Sequence, residues 1–443
     1  MVLSYLAAPT NNCSPTYGVT MCSRKCVPRK SLERVDGFEA RSERGVIADM
    51  APLRRGAVSM PEDAHCCSAE AIADQLSREV YCILGLAIDA IEMAAVVKRI
   101  ESAASSRTPY LISTPNLNFL VSSQQDIEFR ESLLVSDLCT ADGVPIVWIA
   151  RLLGIPIRHT TSGSDLFEAL KVEAPSARAL KVFFFGATET VAAAAAHAVN
   201  TGPSTLRCIG WACPGFGSVD EFSQDRYIDR INSSGADILV AALSAKKGQL
   251  WLVRNHHRLR IPVRSHLGAT INFQSGTVRR SPLMLRKIGL EWLWRIREEP
   301  RLWGRYWHDG KAFLRLMLSH VLPLAIRTQL RRRRLGRVEP KLTIDLLQRP
   351  EGITVSLSGF ALAGEAEKAA SSFRKALATK LPIVIDFSAT HEADARFLGL
   401  LLMVRKVLQA TNGRDLRLVG LSRRMKETFR LHRLDYLLRE GSV

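Results

Sequence analysis

No stretch of this 443-residue chain approaches the ~20 consecutive apolar residues that a bilayer-spanning helix requires. The nearest candidate, Ala312 to Ile326, is short and carries Arg315, Ser319 and His320, so it can lie on a membrane but should not cross one. The opening MVLSYLAAPTNNC lacks a basic region followed by a long apolar core, and no secretory signal is expected. There is no GxGxxG, so the usual dinucleotide fingerprint is missing. The nine cysteines are odd in number and irregular in spacing, which argues for reduced thiols in a cytosol. The pairs Cys22/Cys26 and Cys66/Cys67 have neither a second cysteine pair nor a histidine pair, which speaks against zinc. Disorder is excluded for most of the chain by 47% hydrophobic and 23% charged residues.

Acidic residues are also in short supply: 43 against 61 Lys and Arg, a formal net charge of +18. Such an excess points to an anionic partner. It is concentrated, since Arg279 to Arg334 holds 15 Lys/Arg and only four Asp/Glu. The same stretch interleaves Trp292, Trp294, Trp303 and Trp307 with its arginines and includes the acidic pair Glu298-Glu299. With no nucleic-acid module in sight, nucleic acid is not the expected partner. A lipid surface suits basic residues among tryptophans, and a solvated helix pair is the plainer alternative.

Residues 1–75, rich in Arg, Ser, Pro and Cys, read as a mobile leader. From 76 to 278, short β-rich runs alternate with helical stretches. Strands are predicted at Tyr110–Ser113, Lys181–Phe185, Leu206–Trp211, Ile238–Leu243 and Pro262–Leu267. This order predicts an α/β fold with a Rossmann-like, mostly parallel sheet. Ligands in such sheets sit at the C-terminal strand ends, so the loops from Thr114, Asp142, Gly186, Ser244 and Gly268 are the ones to inspect. Residues 279–330 form a basic, aromatic helical appendage, 331–340 reads as a linker, and 341–443 is a separate small α/β unit.

Asp142, in the turn Ala141-Asp142-Gly143, is the best catalytic candidate. A carboxylate at a strand mouth can take a proton from an attacking hydroxyl, but an Asp before a helix also commonly caps it. Thr114 and Asn116 can hydrogen-bond a sugar or phosphate, or serve as turn residues around Pro115. Gly163-Ser164-Asp165 opens a helix, as an anion site or a simple cap. Gly186 ends a strand as in nucleotide-binding sheets, although one glycine is weak evidence. His256 and His257 are adjacent and read as surface residues.

Residues from about Ile83 to Tyr306 resemble the WecG/TagA/CpsF glycosyltransferases. The segments that carry the resemblance are TPNLNFL (114–120), LLVSDLCTADGVPIVWIARLLG (133–154), GSDLFEAL (163–170), INSSGADILVAAL (231–243), GATINFQSGTVRRSP (268–282) and IGLEWLWRIREEPRLWGRY (288–306). The resemblance implies inverting transfer of a sugar from a UDP-sugar to a polyprenyl-diphosphate-linked glycan acceptor, with no cofactor and no obligatory metal. It implies Asp142 as base, Thr114 and Asn116 as first-motif contacts, and Arg295, Arg301 and Arg305 as the clamp on lipid diphosphate. It also implies a cytoplasmic protein, peripheral on the inner face of the plasma membrane, that works in exopolysaccharide or cell-surface glycan assembly. Two departures bear on the donor contacts. The family's GSPKQE reads SAKKGQ at 244–249, which leaves Gln249 one position late, and an aspartate is replaced by Asn272.

The last unit resembles a STAS domain through IVIDFSATHEADARFLGLLLMV (383–404). Where phosphorylatable members have serines this chain has Ala395 and Arg396, so phospho-switching there is not expected. The resemblance implies protein docking or regulation through residues 341–443, with a structural appendage as the plainer reading. The alternative to an enzyme is a non-catalytic membrane-associated scaffold acting through this unit.

Overall fold

The computed structural model describes residues 74–172, 178–202, 204–287, 289–335 and 341–438. The paired cysteines Cys22/Cys26 and Cys66/Cys67, and nearly all of the expected leader, lie outside them. A helical turn over 74–77 leads into a hairpin of β1 (Val80–Ile83) and β2 (Leu86–Asp89). Then follow α1 (Met93–Ser106), β3 (Tyr110–Ser113), α2 (Leu117–Gln125), α3 (Ile127–Leu134), β4 (Leu138–Cys139), α4 (Val144–Leu153) and α5 (Gly163–Val172). The second half of this region runs β5 (Leu180–Gly186), α6 (Glu189–Thr201), β6 (Leu206–Ala212), α7 (Val219–Phe222), α8 (Asp225–Ser233), β7 (Ile238–Ala242), α9 (Ala245–Arg254), β8 (Val263–His266) and α10 (Gly268–Gln274).

Strands β3 to β8 form one sheet in the order β4-β3-β8-β7-β5-β6, parallel throughout. The reason is legible in β5, Leu-Lys-Val-Phe-Phe-Phe-Gly, which is buried at six of its seven positions. A strand apolar on both sides needs helices over both faces, and parallel crossovers supply them. Val182 and Phe184 face a cluster with α1, α5 and α6, while Phe183 and Phe185 face one with α8 and α9. Phe185 stacks on Trp251 at 4.2 Å between ring centroids.

The basic stretch forms α11 (Leu283–Lys287), α12 (Glu291–Glu298), α13 (Trp303–Leu316), a π-helical turn (Met317–Val321) and α14 (Leu322–Leu335). It is no free appendage: Leu316, Val321 and Leu324 share a core with Phe119, Ile146 and Ile149. Asp309 of α13 is buried and accepts from Asn118 Nδ2 at 3.1 Å, which ties α13 to α2. The expected linker is helical through Leu335, because arginine is a good helix former and Arg331 and Arg332 find Glu392 and the Gly154 carbonyl.

The C-terminal unit adds β9 (Leu342–Arg349), β10 (Gly352–Ala361), α15 (Ala366–Ala378), β11 (Ile383–Ala393), α16 (Ala395–Asn412), β12 (Arg417–Val419) and α17 (Arg423–Leu431). Its sheet runs β12-β11-β10-β9, with only the β9–β10 pair antiparallel. This unit is not separate in packing. Residues 395 to 405 of α16 are buried at every position, so the helix is covered on all sides. One side packs on its own sheet and the other on the hairpin: Leu76, Val80, Cys82, Ala87 and Leu134 belong to the same apolar cluster as Phe397, Leu401 and Val404. Gly399 makes this possible, since a Cβ there would stand 2.2 Å from the Val80 carbonyl oxygen. Gly399→Ala should therefore lower stability by about 1–3 kcal/mol, read as a lower urea midpoint. Gly364→Ala, where a Cβ meets open space, serves as the control. Equal midpoints for the two variants would remove this contact from the account.

Candidate active site

Because β3, β4, β5, β7 and β8 are parallel, their C-terminal ends share one edge of the sheet, and the loops from Thr114, Thr140, Gly186, Leu243 and Leu267 leave from it. β4 is only two residues long, so the chain turns immediately into Thr140-Ala141-Asp142. Backbone bonds from Thr140 N to Ser113 O at 3.0 Å and from Asp142 N to Pro115 O at 2.9 Å lock this turn to the β3 loop. Thr161 N to Ala141 O at 2.8 Å ties it to the segment that opens α5.

Asp142 is half-buried and does not cap a helix. Gly143, at φ 87°, precedes the first residue of α4, and no side chain makes the cap bond. Its carboxyl is pushed up to about 8, first by burial and then by the carboxylates of Glu291 and Asp165. Arg280 and the Gly163 N–H act in the opposite direction. Burial likewise raises Glu291, opposed by Arg280, Arg286 and Arg295. Asp165 accepts from Arg280, and from Arg286 at 3.2 Å. Three carboxylates from three segments thus surround two guanidiniums. Both guanidiniums keep a buried Nε–H that has no acceptor among the described residues, and the adjacent Ser281 hydroxyl is in the same position. These donors face the same mouth as the three carboxylates and are free to hydrogen-bond an oxygen brought there.

Several predicted residues meet here. Thr114 is buried, and its hydroxyl oxygen lies 3.3 Å from where a Gly163 Cβ would be. The Ser164 and Thr270 hydroxyls are 3.4 Å apart, which brings α5 against α10. Asn272, also on α10, is half-buried. Others have local duties. Asn116 caps α2 by accepting from Phe119 N at 3.2 Å. Gly186 ends β5 where a Cβ would collide with the Ala242 carbonyl oxygen. Gln249 is fully buried: its Oε1 accepts from Ser113 Oγ at 2.8 Å and its Nε2 donates to Ser132 O at 2.8 Å. The altered SAKKGQ segment has a physical reason too, because a Cβ on Gly248 would stand 2.0 Å from the His266 ring. Burial holds that imidazole below its ordinary value, and its Nε2 lies 2.8 Å from Leu243 O, which can only accept, so Nε2 carries the hydrogen. His256 is half-buried against Arg264, 3.0 Å from its Nη1, and is no surface residue; His257 is exposed.

The predicted arginine trio does not act as one. Arg295 pairs with Glu299 at 2.8 Å and lies over the Phe273 ring, and Arg301 reaches the same Glu299 from a largely exposed position. Arg305 is exposed over Tyr306. Arg280, Arg286 and Glu291 were not singled out by sequence reasoning. Arg280 does lie in the GTVRRSP segment and Glu291 in IGLEWLWRIREEPRLWGRY, both of which carry the family resemblance. Along α13 and its neighbours, Trp292, Trp303, Trp307, Leu314, Leu318 and Ile326 are exposed, and Trp303 stacks on Trp307 at 6.0 Å. A shallow, mostly apolar groove lined by Trp148, Arg151, Leu152, Phe313 and Met317 runs along α4 from its second turn. Among the described residues no helix is long and apolar enough to cross a membrane, and no cluster of three metal-ligating side chains occurs.

Residues 81–327 match the family model described as glycosyl transferase WecG/TagA/CpsF family, and residues 344–439 match one described as Mlab, STAS domain. Among curated proteins, the chain is 26% identical over 196 residues to an N-acetylglucosaminyldiphosphoundecaprenol N-acetyl-beta-D-mannosaminyltransferase of Bacillus spizizenii, covering 44% of this chain and 73% of that protein. A protein of the same name from Staphylococcus aureus is 25% identical over 226 residues, covering 50% of this chain and 86% of its own length. The one from Bacillus subtilis is 23% identical over 197 residues, covering 44% and 74%.

The raised Asp142 fixes the sign of a stability effect. Between its ordinary value near 3.8 and about 8, the folded state holds a proton that the unfolded state has released. Stability from this group is therefore fully present below pH 4 and falls as pH rises through that window. Asp142→Asn removes the slope, so the variant should match the wild type near pH 4 and exceed it near pH 8 in denaturant midpoint. Parallel pH curves for the two proteins would refute the raised carboxyl.

Proposed function

We propose a reaction for this chain from one premise: it belongs to the WecG/TagA/CpsF family of glycosyl transferases. The reaction is inverting transfer of a sugar from a UDP-sugar to a polyprenyl-diphosphate-linked glycan, in cell-surface glycan or exopolysaccharide assembly. The names of the relatives, which specify an N-acetylglucosaminyl diphosphoundecaprenol acceptor, support the acceptor class.

The observation that carries this reading is Asp142, a carboxyl pushed up to about 8 in a mouth it shares with Glu291, Asp165 and Arg280, with Arg286 on the far side of Asp165. A base tuned near the operating pH is the efficient one. In the step envisaged, the acceptor hydroxyl oxygen bonds to the anomeric carbon of the donor and loses its proton to Asp142. The bond from that carbon to the UDP oxygen breaks with its electron pair on the diphosphate. Arg280 and Arg286 offset the charge that develops there, as preorganised donors in a site shielded from water do. Gly163, Thr114 and the Ser164–Thr270 pair line the sugar side. Arg301 and Arg305, exposed among the tryptophans, face the lipid diphosphate and an anionic membrane surface, while Arg295 stays paired with Glu299. The groove along α4 begins at Trp148, six residues after Asp142 in the chain, and its apolar lining suits the isoprenoid tail.

Purified protein, membranes or an undecaprenyl-diphosphate acceptor, and a panel of labelled UDP-sugars should yield label in the lipid fraction. Asp142→Asn should reduce kcat by about 10²–10⁴-fold. The wild-type kcat/KM should rise with pH through a limb near 8. Lipid loading that survives Asp142→Asn would remove the base from this mechanism. Replacing Trp303 and Trp307 together by Ala should weaken sedimentation with anionic vesicles while leaving the denaturant midpoint unchanged. Undiminished sedimentation would detach these rings from the membrane role.

A further inference from the structure

We propose that the C-terminal STAS domain acts in cis as a clamp on the strand that delivers Asp142, with Lys406 as the positioning residue. β4 has two residues and sits at the sheet edge, where only β3 pairs with it. So short an edge makes few ladder bonds, and on its inner side the turn that follows rests on the backbone bonds of Thr140, Ala141 and Asp142 described above. Its other side is fastened by side chains. Asp89 Oδ2 accepts from Cys139 N at 2.7 Å, and Asp89 is held in turn by Arg78 through bonds of 3.0 and 2.7 Å. Arg78 also donates to the Ser136 carbonyl at 3.2 Å.

Lys406 of α16 completes this arrangement from the STAS side. Its Nζ donates to Ser136 O at 2.9 Å, Gln75 Oε1 at 3.0 Å and Asp137 Oδ1 at 3.3 Å. Asp137 passes the hold inward, since its Oδ2 accepts from Leu111 N of β3 at 2.9 Å. Asp142 lies five residues beyond Asp137 with no helix or long loop between them. Around Lys406 the domain is fixed by further contacts. Arg396 donates to Val80 O at 3.2 Å, Arg405 reaches Glu131, and Arg433 donates to Gln124 Oε1 at 2.8 Å. Ala395 and Arg396 are themselves buried against the transferase half. This face of the STAS domain already has its partner, in the same chain.

The kinetic part of the test rests on the reaction proposed above; the exchange part does not. Full-length Lys406→Met, Lys406→Arg and wild type are compared by amide hydrogen exchange and by sugar transfer. In Lys406→Met, amides of Leu138–Asp142 should exchange about tenfold faster or more while the STAS interior keeps its protection. The kcat should fall by about 10–100-fold with KM little changed. The pH limb near 8 should move toward the ordinary carboxylate range as water reaches Asp142. Lys406→Arg, which keeps a cation in reach of Ser136 O and Asp137, should restore protection. Unchanged exchange at 138–142 overturns the proposal. So does a loss of protection throughout the chain that Arg does not restore, because Lys406 would then serve folding alone. If wild type moves no sugar but the exchange pattern holds, the reaction is misassigned and the clamp stands.

Discussion

The buried ion pair between Arg78 and Asp89 is the constraint that the active edge of the sheet depends on. Both side chains are almost completely shielded from water, and two parallel N–H···O bonds join them. Removing two charges from water is costly, and such a pair persists only when every remaining donor and acceptor is satisfied. Here the surplus capacity is put to use: the carboxylate takes the Cys139 N–H, and the guanidinium takes the Ser136 and Gln75 oxygens. One pair thereby joins the hairpin, the edge strand and the turn leading to Asp142. Losing either partner alone would leave an uncompensated charge in the interior.

Electrostatics at Asp142 run in the opposite direction from stability. A folded protein gains nothing by crowding three carboxylates into one mouth. The arrangement holds because the rest of the fold over-determines it, with Gly143 admitting the turn, Gly163 the close approach of Leu267 and Thr114, and Arg280 and Arg286 balancing part of the charge. Such a locally unfavourable cluster is where reactivity is expected, since a proton held near neutrality can be moved in either direction.

Much of this was legible in the sequence, for identifiable reasons. The parallel sheet shows in runs such as Val182–Phe185, apolar at consecutive positions, and Asp142 shows because a strand end and a glycine frame it. The β1–β2 hairpin is not legible. Both its faces are buried, so there is no alternation, and its turn places Leu84 at φ 49° where an Asn or Asp would have given a signal. Arg280, Arg286 and Glu291 are hidden for another reason. They lie more than a hundred residues from Asp142, in a basic stretch whose charges look alike until the fold selects two of them. The docking of α16 is readable only in part. Leu-Gly-Leu marks a helix with a gap, but nothing local says that a distant strand fills it.

The contact between Arg396 and Val80 spans 316 positions of the chain. The hairpin is synthesised long before α16, and its apolar face stays uncovered until α16 has been made. Synthesis therefore runs through the whole transferase half with one side of it open, and loop closure over that distance is slow compared with local pairing. A chain interrupted before α16 is therefore left with the apolar face of its hairpin exposed.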